Sequence, residues 1–316
     1  MGSFILRRAA QLVPVLLGVT LATFLLVQII PGDPTDVLLG PGASEEARQA
    51  LRASMGLDRT LLVQYLTYLG HLLRFDLGQS LVFGEPVAEV VAERLGNTAL
   101  LAMAAIVLAS IVGVGAGAWA AVRPGSWRDR ALGGGILILN SMPSFWLGLI
   151  LILLGALRLR LLPSSGMYDE VDGGGVLDLA AHMLLPTLTL AAWSVAVIAR
   201  ITRSALLDVI NQDYVRTARS RGLGEWRVVL GHALPNAMSS IVTVVGLQLG
   251  FLLSGAVLTE TVFSWPGIGL AMYQAIGSRD LPLIQGGVLV LAVLFVVINF
   301  AVDVLYVYFN PRLKLR

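Results

Sequence analysis

The chain has 316 residues, 56% of them hydrophobic and 13% charged, with a formal net charge of +2. Soluble domains carry about 25% charged residues, so a mean hydropathy of +0.81 excludes an ordinary soluble globule and places the chain in a membrane. Cysteine is absent, which excludes disulfides, thiolate metal sites and cysteine nucleophiles.

Apolar runs long enough to span a bilayer lie at about 9–30, 98–122, 133–157, 183–205, 237–262 and 284–309. They predict an all-α fold, a single transmembrane domain over 1–316 built from six helices embedded in the lipid bilayer. Arg7 and Arg8 precede the first run, and "PGDP" at 31–34 follows it in place of a small-x-small cleavage site. The run is longer than a typical signal-peptide core, so it reads as an uncleaved first helix. The segment 31–97 carries short amphipathic helices. One starts on Ser44 as N-cap, has acids in its first turn and stops at Gly56. Another, in "DRTLLVQYLTYLGHLL", sets Leu62, Tyr65, Leu66 and Leu69 at helical spacing, as for a helix lying on or near the membrane face.

Further along, Gly113 with Gly117 and Gly246 with Gly250 repeat small residues at four-residue spacing. Such spacing lets helices approach closely in lipid, as a static packing face or a surface that slides. Pro143 breaks the third run. Asn140, Ser141 and Ser144 beside it are candidates for a translocation pathway, because freed backbone groups near polar side chains suit a cavity; a plain kink satisfied by neighbours is the alternative. "DGGGV" at 172–176 reads as a loop. Pro186 falls in the first turn of the fourth run, where its missing N–H needs no partner, and Arg200 and Arg203 mark the exit. Glu260, near the outer end of the fifth run, either shapes an outer gate or is exposed at the interface. Asp303, inside the sixth, lines a pathway or is held near the inner end by a hydrogen bond or water, since a charge in mid-membrane costs about 2.5–3.5 kcal/mol. Trp146, Trp193, Trp265 and Phe263 either touch substrate or sit at the interface; "FSWPG" reads as a tight turn anchored by Trp265. His71, His182 and His232 show no metal-ligand spacing, and no G-x-S-x-G nucleophile motif occurs, so neither a metal nor a catalytic residue is expected.

Charge sets the orientation. With both termini inside, the inner segments 1–8, 123–132, 200–236 and 310–316 hold 14 of the 22 basic residues and four acidic ones, while the outer segments hold eight basic and 14 acidic. The short loops satisfy the positive-inside rule, which predicts cytoplasmic N- and C-termini and a cytoplasmic loop over 206–236. The single lysine, Lys314, is followed by Leu315, so the chain has no G-x-x-x-x-G-K-[ST] phosphate loop. If its work needs ATP, another subunit must bind it.

The stretch "DYVRTARSRGLGEWRVVLGHALPNA", Asp213 to Ala237, interrupts this apolar chain with four arginines. A short helix ending at Gly222, a good C-cap, is followed by a second helix restarting near Pro235. The residues alone leave open a solvated loop or a compact knob built for docking. The pattern resembles the cytoplasmic loop of permease subunits of ABC importers, E-A-A-x-x-x-G-x(9)-I-x-L-P. Aligned on Gly222, its first three positions are Arg216, Thr217 and Ala218, and its last four are His232, Ala233, Leu234 and Pro235. Glycine, second alanine, leucine and proline match; Arg216 replaces the glutamate and His232 the isoleucine. "PGDP", "GLD" at 56–58, "DLGQS" at 76–80, "SMPSFWLG" at 141–148, "LLPTLTL" at 184–190, "ETVFSWPGIG" at 260–269, "RDLP" at 279–282 and "NPRL" at 310–313 follow in order. Together they resemble the first permease subunit of bacterial dipeptide and oligopeptide ABC importers, a group that includes nickel and glutathione permeases.

The resemblance implies the type I importer permease fold, in the inner (plasma) membrane, with an outer insertion between helices 1 and 2. It implies a heterodimer with a second, homologous permease, two ATP-binding subunits that hold ATP and magnesium, and an extracytoplasmic binding protein that delivers peptide; no nucleic acid partner and no cofactor in this chain are expected. It also implies a coupling surface formed by Asp213, Tyr214, Arg216, Thr217, Ala218, Arg219, Arg221, Gly222, Leu223, Leu234 and Pro235; the residues themselves suggest a pathway that includes Asn140, Ser141, Pro143, Ser144 and Glu260. A nickel or glutathione permease is the alternative within the family. A proton-coupled secondary carrier would carry paired mid-membrane carboxylates and an inverted repeat, and the sequence has neither.

Overall fold

A computed structural model describes residues 2–29, 35, 39–40, 42–54, 56–169 and 174–309. The motifs at 31–34 and 310–313, the first two residues of "DGGGV" at 172–176, Lys314 and the side chain of Asp303 lie outside the described residues. Among those described, regular structure is helical, with one isolated bridge between Gln79 and Pro86.

In chain order the helices are α1 (Gly2–Ile29), α2 (Glu45–Ser54), α3 (Leu61–Leu72), α4 (Val87–Ala121), α5 (Trp127–Ser141), α6 (Ser144–Leu151) continued by a π segment (Ile152–Arg158), α7 (Val176–Ile210), α8 (Asp213–Ser220), α9 (Glu225–Val228) continued by a π segment (Val229–Ala233), α10 (Leu234–Gly255), α11 (Val257–Val262), α12 (Ile268–Ser278) and α13 (Leu281–Phe309). Four single helical runs are long and apolar enough to cross a membrane: Val87–Ala121, Val176–Ile210, Glu225–Leu253 and Leu281–Val302. The pair Trp127–Ser141 and Ser144–Arg158, bent by 99°, counts as a fifth if its two helices form one broken span. α1, 28 residues long, contains the apolar stretch Val13–Leu26 among the described residues.

Several local expectations change for physical reasons. Pro186 does not start its helix: α7 begins at Val176, and the proline lies inside it. Pro235 sits in the first turn of α10, where the sequence puts a helix start, although Glu225–Leu253 forms one continuous helical run. The π segment directly before Pro235 widens the backbone where its N–H is missing, with Leu234 N–H donating to the Val229 carbonyl. The fifth run ends earlier than expected, near Gly255, and α11 is a separate short helix.

The chain divides into two compact units: 97–266 with Val297 onward, and 2–96 with 267–296. In the first, α7 is the central helix and packs against α5, α6 and α10. Gly113 and Gly117 let α4 approach it closely. A methyl group at Gly117 would stand 2.6 Å from the Ala199 carbonyl oxygen, and one at Gly113 would stand 2.9 Å from Ile198 Cβ. At Gly246 a methyl would collide with Val302 of α13.

In the second unit, Ser44 Oγ accepts the Ala47 N–H at 3.3 Å and caps α2, and Gly56 stops that stretch at φ +67°. α3 packs on α1 through Tyr65 and Tyr68 around Phe24, at ring separations of 5.4 and 6.2 Å. Leu62 and Leu66 of its apolar stripe are left exposed. The "DLGQS" and "RDLP" motifs meet. Buried Asp280 caps α13 by accepting the Leu283 N–H, and its other oxygen takes the Ser80 hydroxyl at 2.6 Å and the Val82 N–H at 3.0 Å.

Candidate functional site

The 206–236 segment folds as a knob on an apolar base. Val215 and Ala218 of α8 point inward, onto Leu206, Val209 and Ile210 of α7, Ala118 and Ala121 of α4, and Val228, Val229 and Ala233. Each of the valine, leucine and isoleucine side chains contributes about 1.5–3 kcal/mol when removed from water. α8 therefore sits on the ends of three membrane helices rather than floating above them. It ends by the backbone route expected of a glycine: Gly222 has φ +78°, and its N–H returns to the Arg219 carbonyl at 2.9 Å. Arg219 closes the turn with two bonds to Glu225, Nε to Oε1 at 2.9 Å and Nη2 to Oε2 at 3.2 Å.

This geometry sorts the residues singled out by sequence. Asp213, Tyr214, Arg216, Thr217, Arg221, Gly222 and Pro235 are exposed. Leu223 and Leu234 are half-buried and pack against the base. Ala218 is corrected: it is buried beneath α8, because its place in the helical period puts it with Val215 on the inner face. Arg219 serves the knob's own fold. Trp226, absent from the set that the sequence suggests, stands exposed beside the arginines at 45% accessibility. A large aromatic in a charged run, between Gly224 and Arg227, is the signal that points to it.

A second site forms at the α5–α6 bend. Asn140, Ser141, Pro143 and Ser144 line a cavity of about 410 Å³, joined by Trp193 of α7 and Phe251 of α10. No charged side chain among the described residues lines it. The amide oxygen of Asn140 is buried there without a hydrogen-bond partner among the described residues. Trp265 and Phe263 do not face this space; both are buried.

Glu260 is not at this cavity, and it is not exposed at an interface either: it is fully buried. Thr98 Oγ1 donates to its carboxylate at 2.6 Å. Next to it, the Trp265 indole N–H donates to the Asn97 carbonyl at 3.1 Å, and the Asn97 amide donates to the Pro266 carbonyl at 2.9 Å. The "ETVFSWPGIG" turn is thus pinned to the start of the apolar part of α4, with Trp265 as an internal wedge. The turn itself places Ser264 at φ +49°.

The histidines at 71 and 182 have local partners. His71 Nδ1 lies 2.8 Å from Asp76, and His182 Nδ1 lies 3.0 Å from Asp178. The Gly78 N–H and His71 together hold the Asp76 carboxyl below the usual carboxylate range. Among the described residues no group of three or more His, Asp or Glu side chains converges as a metal site would require.

The family model for the binding-protein-dependent transport system inner membrane component matches residues 113–315, and its N-terminal companion matches 1–102. The chain is 41% identical over 336 residues to the dipeptide transport system permease protein DppB of Escherichia coli K12, covering 99% of both chains. It is 44% identical over 337 residues to the di/tripeptide transport system permease protein DppB of Pseudomonas aeruginosa UCBPP-PA14, again over 99% of both. An inward-facing structure of the MetNI methionine ABC transporter matches 70% of this chain and 96% of its own, with 19% identity and a TM-score of 0.54. That likeness carries the fold, the type I ABC importer permease. The chain belongs to the family of inner membrane components of binding-protein-dependent transport systems, as a multi-pass ABC permease.

Proposed function

We propose that this chain is the first of two permease subunits that carry di- or oligopeptides from an extracytoplasmic binding protein to the cytoplasm, driven by separate ATP-binding subunits. The observation that carries the cargo is 41–44% identity over 99% of the chain to permeases named for dipeptide and di/tripeptide transport. The uncharged cavity at the α5–α6 bend supports it. A wall without fixed charge, with one amide and two hydroxyl side chains beside the bend, accepts peptides of varied sequence and leaves selection to the binding protein. In this reading both termini and the knob face the cytoplasm.

The knob is the input for energy. Inverting a gate from 1:99 to 99:1 takes about 5.5 kcal/mol of differential binding, and this chain has no phosphate loop to supply it. A grip on the exposed face of α8, at Arg216, Thr217, Arg221 and Trp226, pushes on a close-packed base shared by α4, α7 and α10. Close packing transmits that push instead of absorbing it.

The test is uptake by the reconstituted assembly: this chain, its partner permease, the two ATP-binding subunits and the binding protein. Labelled dipeptide is expected to accumulate only with ATP. Uptake of nickel or glutathione in its place would reassign the cargo within the family. Uptake without the ATP-binding subunits would overturn the ABC reading.

A further inference from the structure

The loop between α4 and α5 and the groove beside it have no part in the account of transport. Arg123, Arg128 and Arg130 lie within eight residues of one another, and none has a carboxylate partner among the described residues. The one acid among them, Asp129, is already engaged: it takes both an Arg203 guanidinium and the Gly125 N–H. Arg128 lies over the Trp119 ring at 5.4 Å, a contact that leaves its N–H donors free at the ring's edge. Trp127, the first residue of α5, meets Trp119 edge-on at 5.2 Å and is otherwise 67% exposed. Indole rings beside arginines at the end of a membrane helix mark the level of lipid headgroups.

A groove of about 210 Å³ leads away from this loop between α4, α5 and α7. Trp119 and Ala131 line its loop end, and Gly135, Leu139 and Val195 continue it along the helices; beyond the Trp119 indole its lining is aliphatic side chains and glycine. A cationic, aromatic mouth opening onto an apolar channel on membrane-spanning helices matches the two halves of one molecule. We propose that this site holds a phospholipid with an anionic headgroup, its phosphate on Arg128 beside the Trp119 indole, an acyl chain in the groove, and Arg123 and Arg130 adding to the positive field around the mouth. Basic pockets between membrane helices bind anionic headgroups on this principle. Charge alone would attract any anion to the loop; the groove adds the demand for an acyl chain. The inference stands independently of the cargo.

The experiment is native mass spectrometry of the detergent-purified assembly titrated with phosphatidylglycerol, with phosphatidylcholine as the zwitterionic control. The wild type is expected to retain phosphatidylglycerol preferentially. The combined variant Arg123→Gln/Arg128→Gln/Arg130→Gln should lose that preference, by about five-fold in affinity per arginine. Gly135→Leu is the second arm. A methyl group there would meet no heavy atom within 4 Å, so the position has room for a side chain that enters the groove and should displace the lipid while all three arginines remain. Inorganic phosphate in excess should not compete. Equal retention of the two lipids would overturn the proposal, as would phosphatidylglycerol binding unchanged in Gly135→Leu, or displacement of the lipid by inorganic phosphate.

Discussion

Gly222 holds a backbone conformation that few other residues adopt. Its φ of +78° lies in the left-handed region, where an L side chain costs about 1–2 kcal/mol. The space around it is open, with no heavy atom within 4 Å of where a methyl group would stand. Gly222→Leu should therefore strain the turn slightly without clashing inside this chain, and its side chain should project into whatever grips the knob. The expected outcome is normal membrane insertion and ATP hydrolysis with transport reduced at least about ten-fold, a loss equivalent to 1.4 kcal/mol; ATPase and uptake assays on the same preparation check it. Undiminished coupled transport would remove Gly222 from the contact. The glycine's conformation is legible from its place after a helical run. The inward position of its neighbour Ala218 is not, because matching a motif says nothing about which face of α8 is buried. Glu260 is equally opaque. The sequence shows a carboxylate at the end of an apolar run, but only the fold brings Thr98, distant along the chain, to its oxygen.

Helix existence follows from apolar run length, and helix ends do not. α4 and α7 extend well beyond their apolar centres, to Val87 and to Val176, because packing partners rather than hydropathy decide where a helix stops. Proline suggests a helix start, and Pro235 does stand in the first turn of α10, but Pro186 lies inside α7. The four-residue glycine spacing is the more faithful signal. Gly113 and Gly117 meet α7 so closely that Gly117→Leu must push the two helices apart, at a cost of about 1–3 kcal/mol. The expected result is a lower unfolding temperature of the purified assembly, while Gly135→Leu, in open space, leaves it unchanged. Equal melting of both variants would show that the α4–α7 approach carries no such constraint. The bend at Pro143 is legible as a break, but its 99° angle and the arrival of Trp193 and Phe251 opposite it depend on tertiary packing.

At the scale of the whole molecule, the family is legible because many short motifs keep their order over the full chain. The structure gives several of them physical work. "DLGQS" and "RDLP" meet at Asp280, "ETVFSWPGIG" is pinned to Asn97 and Thr98, and "SMPSFWLG" forms the bend that opens the cavity. The central claim is that the exposed face of α8 is where ATP-driven motion enters a chain with no phosphate loop. Because the chain has no cysteine, a single Thr217→Cys provides a unique reactive site on that face. Disulfide cross-linking in the intact assembly, against a cysteine placed in each partner in turn, should join Thr217→Cys to an ATP-binding subunit. Thr67→Cys, exposed on α3 in the other unit, should give no such product. A Thr217→Cys variant that links to none of the ATP-binding subunits, with Thr67→Cys linking to one instead, would contradict the account.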